Sequence, residues 1–538
     1  MKNKKIQLLD CTLRDGSYIT ESKFGEPAMK GIITKMQEAH VDVIEVGWLK
    51  DKEYTEGTTF FHVPSDAEKY IVNKDPDVEY VAMIDWDRYN LDALPPYDGK
   101  SIDAIRLVFP VDHFKEGIAL GQKIKDKGYR LYVQAANTLG YSDKQLLELI
   151  DEVNKTEPVA ISVVDTFGAM YPDDLRHIVD IFERNLDKKI RLGFHSHNNQ
   201  QLSFALCQEF VNILKDSERG VMLDGSLCGM GRGAGNATTE LVASFLNKKY
   251  NAGYDMNAIL DAIDTYMEYF KEHFSWGYST PYFVAGMYQC HVNNIAYLQK
   301  NHRANSKDMR NIISSLSQDE RRAYDYDLLE KRYLENQDRK IDDAEAVAKL
   351  KAEFKGKEVL LLAPGKSVLD QEEKISQYIS SRDDIVTIGV NAIVGDYTYD
   401  YLLFVNSVRY HFAKEAYPEK FTGMKKILLS NIKTDAAEDE TVINFNRIIK
   451  RGWEHFDNAV ITALRMLDQL GVKRISIAGF DGFKQEYNES YADPSLPTLN
   501  TSNNWDTLNE EIRDMYHDFV KTRNTDSEIK FITESEFN

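Results

Sequence analysis

The sequence predicts an α/β protein: an N-terminal (β/α)8 TIM barrel, a helical extension, and a C-terminal Rossmann-like open α/β domain. Three observations predict this. Eight short runs rich in Val, Ile and Leu recur within residues 1–250, most of them separated by a stretch of helical period. Most of these runs are apolar on both faces, as parallel strands covered by helices must be. Six further runs of the same kind follow residue 355.

The first eight strands are predicted over 6–13, 41–48, 78–85, 102–110, 129–137, 160–167, 190–197 and 221–228. Eight strands in about 250 residues is the count that closes a barrel. A doubly wound open sheet is the alternative. The polar residues collect at the C-terminal ends of the runs, where barrel enzymes carry their chemistry, and this favours the barrel. Residues 251–354 read as helices, most clearly over 256–270, and the stretch 319–358 is dense in charges of both signs. A solvated helical connector fits that density. The second α/β unit, 355–538, has predicted strands over 357–365, 384–391, 399–406, 425–431, 474–483 and 529–535. The stretch 484–505 is polar, contains two prolines and reads as a loop.

Of the 538 residues, 43% are apolar and 28% charged, and the formal net charge is −20. That balance argues against a nucleic-acid partner and against an anionic membrane surface. Cys11, Cys207, Cys228 and Cys290 form no Cys-x-x-Cys pair, so neither a disulfide framework nor a zinc ribbon is expected, and a reducing cytoplasm suits the chain. The opening MKNKKIQLLD lacks the apolar core of a signal peptide. No apolar run approaches the roughly 18 residues of a membrane span. A homo-oligomer is compatible with all of this.

Two short motifs carry the chemistry. Asp10-Cys11-Thr12-Leu13-Arg14-Asp15-Gly16 ends the first run, and His195-Ser196-His197 ends the seventh. Residues i and i+2 of a strand share a face, so both imidazoles can point into the barrel mouth. Barrel closure brings a carboxylate from the first strand near them. Two imidazoles and a carboxylate leave open positions on a divalent metal, which suits Lewis-acid catalysis. After the eighth run comes a glycine-rich turn, Gly229 to Asn236, ahead of a helix. Such a turn can hold an anion on backbone N–H groups. Asn236 can cap that helix or face the metal.

DCTLRDG, VIEVGW, GFHSHNN and GMGRGAGN, in this order, resemble the metal-dependent aldolases and Claisen-condensing enzymes of the DRE-TIM metallolyase superfamily, with 4-hydroxy-2-oxovalerate aldolase the most similar branch. The resemblance covers about residues 1–300. It implies Asp15, His195 and His197 as metal ligands, with Asn236 a fourth, and Mn2+ or Mg2+, with Zn2+ also admissible, as the cofactor. It places Arg14 on the enolate oxygen of a 2-oxo acid such as pyruvate, makes Glu45 the acidic residue of the superfamily pattern, and sets Gly231, Arg232 and Gly233 beside the substrate. Gly277 to Tyr282 matches the aldolases' Gly-Tyr-x-x-x-Tyr spacing and would bring Tyr282 to the pocket. The chain departs from the pattern at Tyr18, where the aldolases carry a histidine base. A phenol with an ordinary pKa near 10 is a poor base at neutral pH, so Tyr18, Glu21, Tyr282 and water all stay open for that role. The loop cysteine of 3-hydroxy-3-methylglutaryl-CoA lyase is replaced by Arg232-Gly233, which favours an aldehyde over a thioester as electrophile. A Claisen-type synthase is the alternative.

In the second unit, LLLAPGKSV is a strand followed by a glycine turn, but neither a Walker loop nor a Gly-x-Gly-x-x-Gly motif is present, which disfavours NAD. Asn391, Asn406 and Asp481 end predicted strands, where open α/β sheets bind ligands. The order of these motifs over 357–485 resembles bacterial sialyltransferases and pterin-pyrophosphokinase-like domains. It implies a nucleotide or nucleotide-sugar near Gly365, Lys366, Ser367, Asn391, Asn406 and Asp481. His411 and His455 are isolated histidines, a type more often structural than catalytic. The expectation is a bifunctional enzyme, an aldolase joined to a nucleotide-handling domain with a place in surface-glycan synthesis. A non-catalytic binding or assembly module is the alternative for the second unit.

Overall fold

Eight parallel strands close the N-terminal barrel: β1 (Ile6–Asp10), β2 (Val43–Leu49), β3 (Glu79–Asp85), β4 (Ala104–Phe109), β5 (Arg130–Ala135), β6 (Ala160–Asp165), β7 (Arg191–Ser196) and β8 (Val221–Gly225). Closure comes from β1, which sets Leu9 beside Val43 of β2 and Ile6 beside Val221 of β8. The computed structural model describes residues 4–302, 304–337, 341–434, 437–450, 458–484, 487–497 and 504–538. By internal contacts the chain divides into Met1–Ile295 with Gln318–Ala323, and Ala296–Ser317 with Tyr324–Asn538.

The barrel interior is layered. Leu9, Val43, Val81, Ala104, Tyr132, Ala160 and Met222 form a dry inner cluster. Side chains alternate along a strand, so the inward residue two positions on lies one layer nearer the C-terminal mouth. For β2, β4 and β8 those residues are Glu45, Arg106 and Asp224, and all three are buried. An apolar floor therefore carries a charged upper layer.

Local chemistry ends the first strand earlier than its apolar run suggests. The Asp10 carboxylate accepts from the Thr12 N–H at 3.0 Å and from the Thr239 hydroxyl at 2.6 Å. This turns the chain into the short helix Thr12–Asp15, which faces Arg14 and Asp15 inward. In β2 the register shifts between Glu45 and Gly47. Gly47 has φ of 151°, and a Cβ there would lie 2.2 Å from the Thr59 carbonyl oxygen. Only glycine allows the short strand Phe60–Phe61 to pair with β2 at that point. The helix predicted over 256–270 runs from Met256 to His273, with one π turn at Ile263–Met267. No helix among the described residues is long and apolar enough to cross a membrane.

The second unit contains a parallel seven-stranded sheet: β9 (Glu358–Leu362), β10 (Ile385–Val390), β11 (Tyr401–Phe404), β12 (Lys425–Leu429), β13 (Glu440–Ile443), β14 (Arg474–Ala478) and β15 (Glu528–Phe531), in the order β13-β12-β11-β10-β9-β14-β15. Helices cover both faces: Val359 and Leu361 of β9 join one core, and Leu360 and Leu362 the other. β13 is a four-residue edge strand whose side chains alternate half-buried and buried. It lacks the apolar run that marks the six predicted strands. The order reverses between β9 and β14, and the crevice at such a reversal is where open sheets bind ligands.

Gly479, just after β14, has φ of +76°, and a Cβ there would lie 2.2 Å from the Ala363 carbonyl oxygen at the end of β9. Gly479→Ala should destabilise this unit by on the order of 1–3 kcal/mol. Hydrogen exchange should rise across β9 and β14 while β1 to β8 stay protected. Unchanged protection at β9 would contradict this packing.

Candidate active site

The site assembles where β1, β7 and β8 end. One ligand atom from each of Asp15, His195 and His197 lies within 4.8 Å of the others. The two imidazole Nε2 atoms stand 4.0 Å (His195) and 3.9 Å (His197) from Asp15 Oδ2. His195 is the penultimate residue of β7, whereas His197 lies one residue beyond the strand. There its backbone bridges to Asn236 of the glycine-rich loop. The His195 Nδ1–H donates to Asp224 Oδ2 at 3.0 Å, which fixes the tautomer and leaves Nε2 facing Asp15. Asn236 Nδ2 donates to Asp15 Oδ2 at 2.5 Å, while its Oδ1 is buried without a partner.

The glycines have specific work here. A Cβ on Gly231 would lie 2.5 Å from Asn236 Nδ2 and 2.9 Å from Asp15 Oδ2. Gly231 therefore keeps space open beside the carboxylate. The expected anion cradle is partly spent on the loop itself. The N–H groups of Gly235 and Asn236 bond to Arg232 and Gly229 carbonyls, and that of Ala234 bonds to Asn199. The helix after the loop starts at Thr239 behind Thr238, so Asn236 does not cap it. A Cβ on Gly233 would lie 2.8 Å from Asn199 Oδ1.

A continuous charge chain supports the site. Arg14 Nη1 donates to Asp15 Oδ1 and Arg14 Nε to Glu45 Oε2, both at 2.8 Å. Arg106 Nη1 donates to the same Glu45 oxygen at 2.8 Å, and Arg106 Nη2 to Asp224 Oδ2 at 2.5 Å. Asp224 then holds His195. Glu45 thus bridges two guanidiniums. Burial acts to raise the Asp15 carboxyl, but Arg14, His197 and His195 together hold it well below the usual carboxylate range. Burial also acts against ionised Asp224, and Arg106 and His195 overcome it. Burial pulls the His197 pKa down to about 4, so its imidazole is neutral at physiological pH. Two guanidiniums thus face three carboxylates, and one of these, Asp15, lies where the two imidazoles converge. That donor set, with the orphaned Asn236 Oδ1, fits a divalent cation.

Tyr18 lies beside this centre, edge-on to Trp48 at 5.9 Å and under the Arg232 guanidinium at 3.8 Å from its ring centroid. Tyr18 is 39% exposed at the barrel mouth, and desolvation by the groups packed around it raises its phenol pKa despite Arg232 and Arg14. Glu21 pairs with Lys23 at 3.4 Å, and its side chain is 82% exposed, outside the site. Tyr282 stands in the first turn of the helix Thr280–Met287, its pKa raised by burial, and makes no hydrogen bond or ion pair to the triad. A group that the sequence reading missed is His291, whose Nε2 lies 3.2 Å from Arg232 Nη1 and whose pKa burial and Arg232 lower to about 3. Arg106 and Asp224 were missed as well. Their signal was a charge at an inward position of an otherwise apolar strand.

In the second unit, Gly365, Asn391, Asn406 and Asp481 line one cavity of about 810 Å³ at the strand-order reversal. Lys366 and Ser367 are not in its lining. The Ser367 N–H donates to Asp481 Oδ2 at 2.8 Å, and its hydroxyl bonds to the same carboxylate. The helix Tyr326–Gln337, within the stretch expected to be a solvated connector, gives Glu330, Tyr333, Leu334 and Gln337 to the cavity wall. His411 packs edge-on to Tyr410 at 5.4 Å and lies outside the lining. His455 lies outside the described residues.

Residues 111–265 match the family described as HMGL-like. That match spans β5 to β8 and includes His195, His197 and Asn236. Among curated proteins, oxaloacetate decarboxylase of Mycobacterium tuberculosis is 26% identical over 271 residues, covering 47% of this chain and 74% of its own length. 4-Hydroxy-2-oxovalerate aldolase of Thermomicrobium roseum is 27% identical over 269 residues, covering 48% of this chain and 71% of its own length. Among solved structures, hydroxymethylglutaryl-CoA lyase of Pseudomonas aeruginosa is 18% identical with a TM-score of 0.40, covering 48% of this chain and 91% of its own.

Two predictions follow from the geometry. Arg106→Met leaves Glu45 and Asp224 buried without their shared cation and should cost about 3–5 kcal/mol of stability in urea unfolding. A loss under about 1 kcal/mol would contradict the charge chain. In metal-free protein, the His197 imidazole should titrate near pH 4, read by NMR. Its folded pKa lies below the ordinary 6.5, so the folded state should lose stability as pH falls from 6.5 towards 4. An inflection near 6.5 would refute that environment.

Proposed function

We propose that the barrel is a divalent-metal-dependent aldolase that makes or breaks a carbon–carbon bond through the enolate of pyruvate or another 2-oxo acid, with an aldehyde as partner. The observation that carries this reading is the buried convergence of Asp15, His195 and His197 beside the Arg14 guanidinium. The names of the two curated relatives, a 4-hydroxy-2-oxovalerate aldolase and an oxaloacetate decarboxylase, support a 2-oxo acid as substrate. Asp15, His195 and His197 would hold Mn2+ or Mg2+, with Asn236 Oδ1 in a fourth position, and the cation would supply Lewis-acid stabilisation of the enolate.

The remaining work falls to side chains. Arg14 has Nε and one Nη1–H committed to carboxylates, which leaves the Nη2 hydrogens free to meet the developing enolate oxygen. Because Glu45 and Asp15 clamp the fork, it is aligned before substrate arrives. Arg232, spread over Tyr18, offers a second cation to a substrate carboxylate, with Gly231 and Gly233 leaving room beside it. The phenols of Tyr18 and Tyr282 are both raised and are poor proton acceptors at neutral pH. His291 is no better: its pKa is lowered to about 3, its Nδ1 accepts the Asn293 N–H and its Nε2 faces Arg232, so water, the acceptor still open from the sequence, takes the proton. Tyr18 and Trp48 then shape the aldehyde side. On the same reading the C-terminal unit takes a nucleotide or nucleotide-sugar, supported by its cavity at the strand-order reversal. A place in surface-glycan synthesis rests on the pairing of such a cavity with an aldolase barrel.

The test is deuterium exchange at the pyruvate methyl group with Mn2+ present. Wild type should exchange. His195→Ala, His197→Ala and Asp15→Asn should lose both Mn2+ binding and exchange. Tyr18→Phe should keep exchange and alter aldehyde selectivity, and His291→Asn should also keep exchange with Mn2+ still bound. Exchange that persists in a metal-free His195→Ala, His197→Ala double variant would overturn the metal assignment. Loss of exchange in Tyr18→Phe would return the base to the phenol.

A further inference from the structure

The cavity of the C-terminal unit has an electrostatic defect. Its acidic wall residues already have partners. Glu330 Oε2 lies 2.5 Å from His302 Nε2, Asp308 accepts from Asn305 at 2.7 Å, and Asp481 accepts from Ser367. The lining lysine, Lys450, pairs with Asp518 at 2.5 Å. Arg409 differs. It lines the cavity at only 7% exposure, and its Nη1 is buried without a hydrogen-bond partner. Its guanidinium forms no ion pair with any described residue, and its only ring contact is with Tyr491, 4.9 Å from the centroid. The carboxylate that feels its charge, Asp493, is itself held by Tyr417 and Ser495.

A buried guanidinium without a counter-charge is unfavourable, and a ligand anion is what removes the cost. The backbone places this one deliberately. Arg409 is the third residue of the helix Ser407–Ala416, and its N–H donates to the capping Asn406 Oδ1 at 3.0 Å. The positive end of the helix dipole therefore adds to the guanidinium charge. A second orphan lies on the same wall: Asn431 Nδ2 donates to the Val405 carbonyl at 3.2 Å, while its Oδ1 is buried without a donor. One orphaned cation and one orphaned acceptor ask for a ligand with an oxyanion and a hydroxyl or amino donor. The volume of about 810 Å³ fits an organic molecule rather than a free ion.

We propose that this cavity binds an organic oxyanion, a phosphate ester or a carboxylate on a hydroxyl- or amino-bearing body, with the anion on Arg409 and the donor on Asn431. This deepens the nucleotide reading of the same cavity and rests on it only for the ligand's location. It moves the anion contact away from the Gly365-Lys366-Ser367 turn, where Asp481 already occupies the Ser367 N–H.

The full-length protein is titrated by calorimetry with the four ribonucleoside 5′-monophosphates, their parent nucleosides, inorganic phosphate, glucose 6-phosphate and glucuronate. At least one oxyanion should bind on the order of 10- to 100-fold more tightly than its uncharged parent. Arg409→Gln should erase that difference and Arg409→Lys should restore part of it. Asn431→Asp, which adds a negative charge to the same wall, should weaken the anion without weakening the parent, and it serves if Arg409→Gln does not fold. Arg409-dependent binding of glucose 6-phosphate or glucuronate, with no nucleotide bound, supports the anion site and sinks the nucleotide reading alone. The proposal is overturned if no oxyanion binds wild type, if charged and uncharged forms bind alike, or if Arg409→Gln leaves binding unchanged.

Discussion

Everything in the barrel depends on one constraint: the charges within it sit in a low-dielectric interior and must be paired in place. Glu45 accepts from both Arg14 and Arg106, Arg106 also holds Asp224, and Asp224 orients His195. Each link fixes the rotamer of the next. The chain runs from the turn after β1, through β2, β4 and β8, to β7, so closing the barrel and setting the active geometry are the same event. Such a network is not a cheap source of stability, because desolvation offsets much of its Coulomb energy. What it provides is position: Asp15 ionised, His195 with Nε2 forward, and the Arg14 fork aligned.

The two units solve opposite electrostatic problems. In the barrel, the carboxylates of the charge chain outnumber its guanidiniums, and one of them, Asp15, lies where two imidazoles and Asn236 converge. A divalent cation satisfies that set. In the second unit the carboxylates on the cavity wall are partnered, and the unpaired group is a guanidinium. On the two proposals, chemistry on a 2-oxo acid in one unit and recognition of an oxyanion in the other make a coherent pair, since both would deal with small acidic metabolites.

The departures from the superfamily pattern acquire physical content in three dimensions. Tyr18, where the resembled aldolases carry a histidine, lies under Arg232 with its phenol pKa raised, and on the proposed reading it offers a polar, aromatic wall rather than a proton acceptor. The imidazole next to Arg232 is that of His291, beyond the barrel strands, which is held by Arg232 and the Asn293 N–H. Glu45, the acidic member of the motif, is spent on two arginines and acts by holding Arg14.

The fold was legible because parallel strands buried on both faces must be apolar throughout, and eight such runs are visible in the sequence. The His195-Ser196-His197 spacing was legible because a strand alternates with period two, and Asp10 to Gly16 because the first strand ends beside the seventh and eighth once the barrel closes. The edge strand Glu440–Ile443 was not legible, since a four-residue strand with half-exposed side chains carries no apolar run. Arg106, Asp224, His291 and Arg409 belong to no motif or spacing that singles them out in the sequence. Their roles arise from partners far away in the chain, or from the absence of one. Local sequence determines backbone period and which face is apolar. Only the tertiary structure decides which buried charges meet, and which is left for a ligand to neutralise.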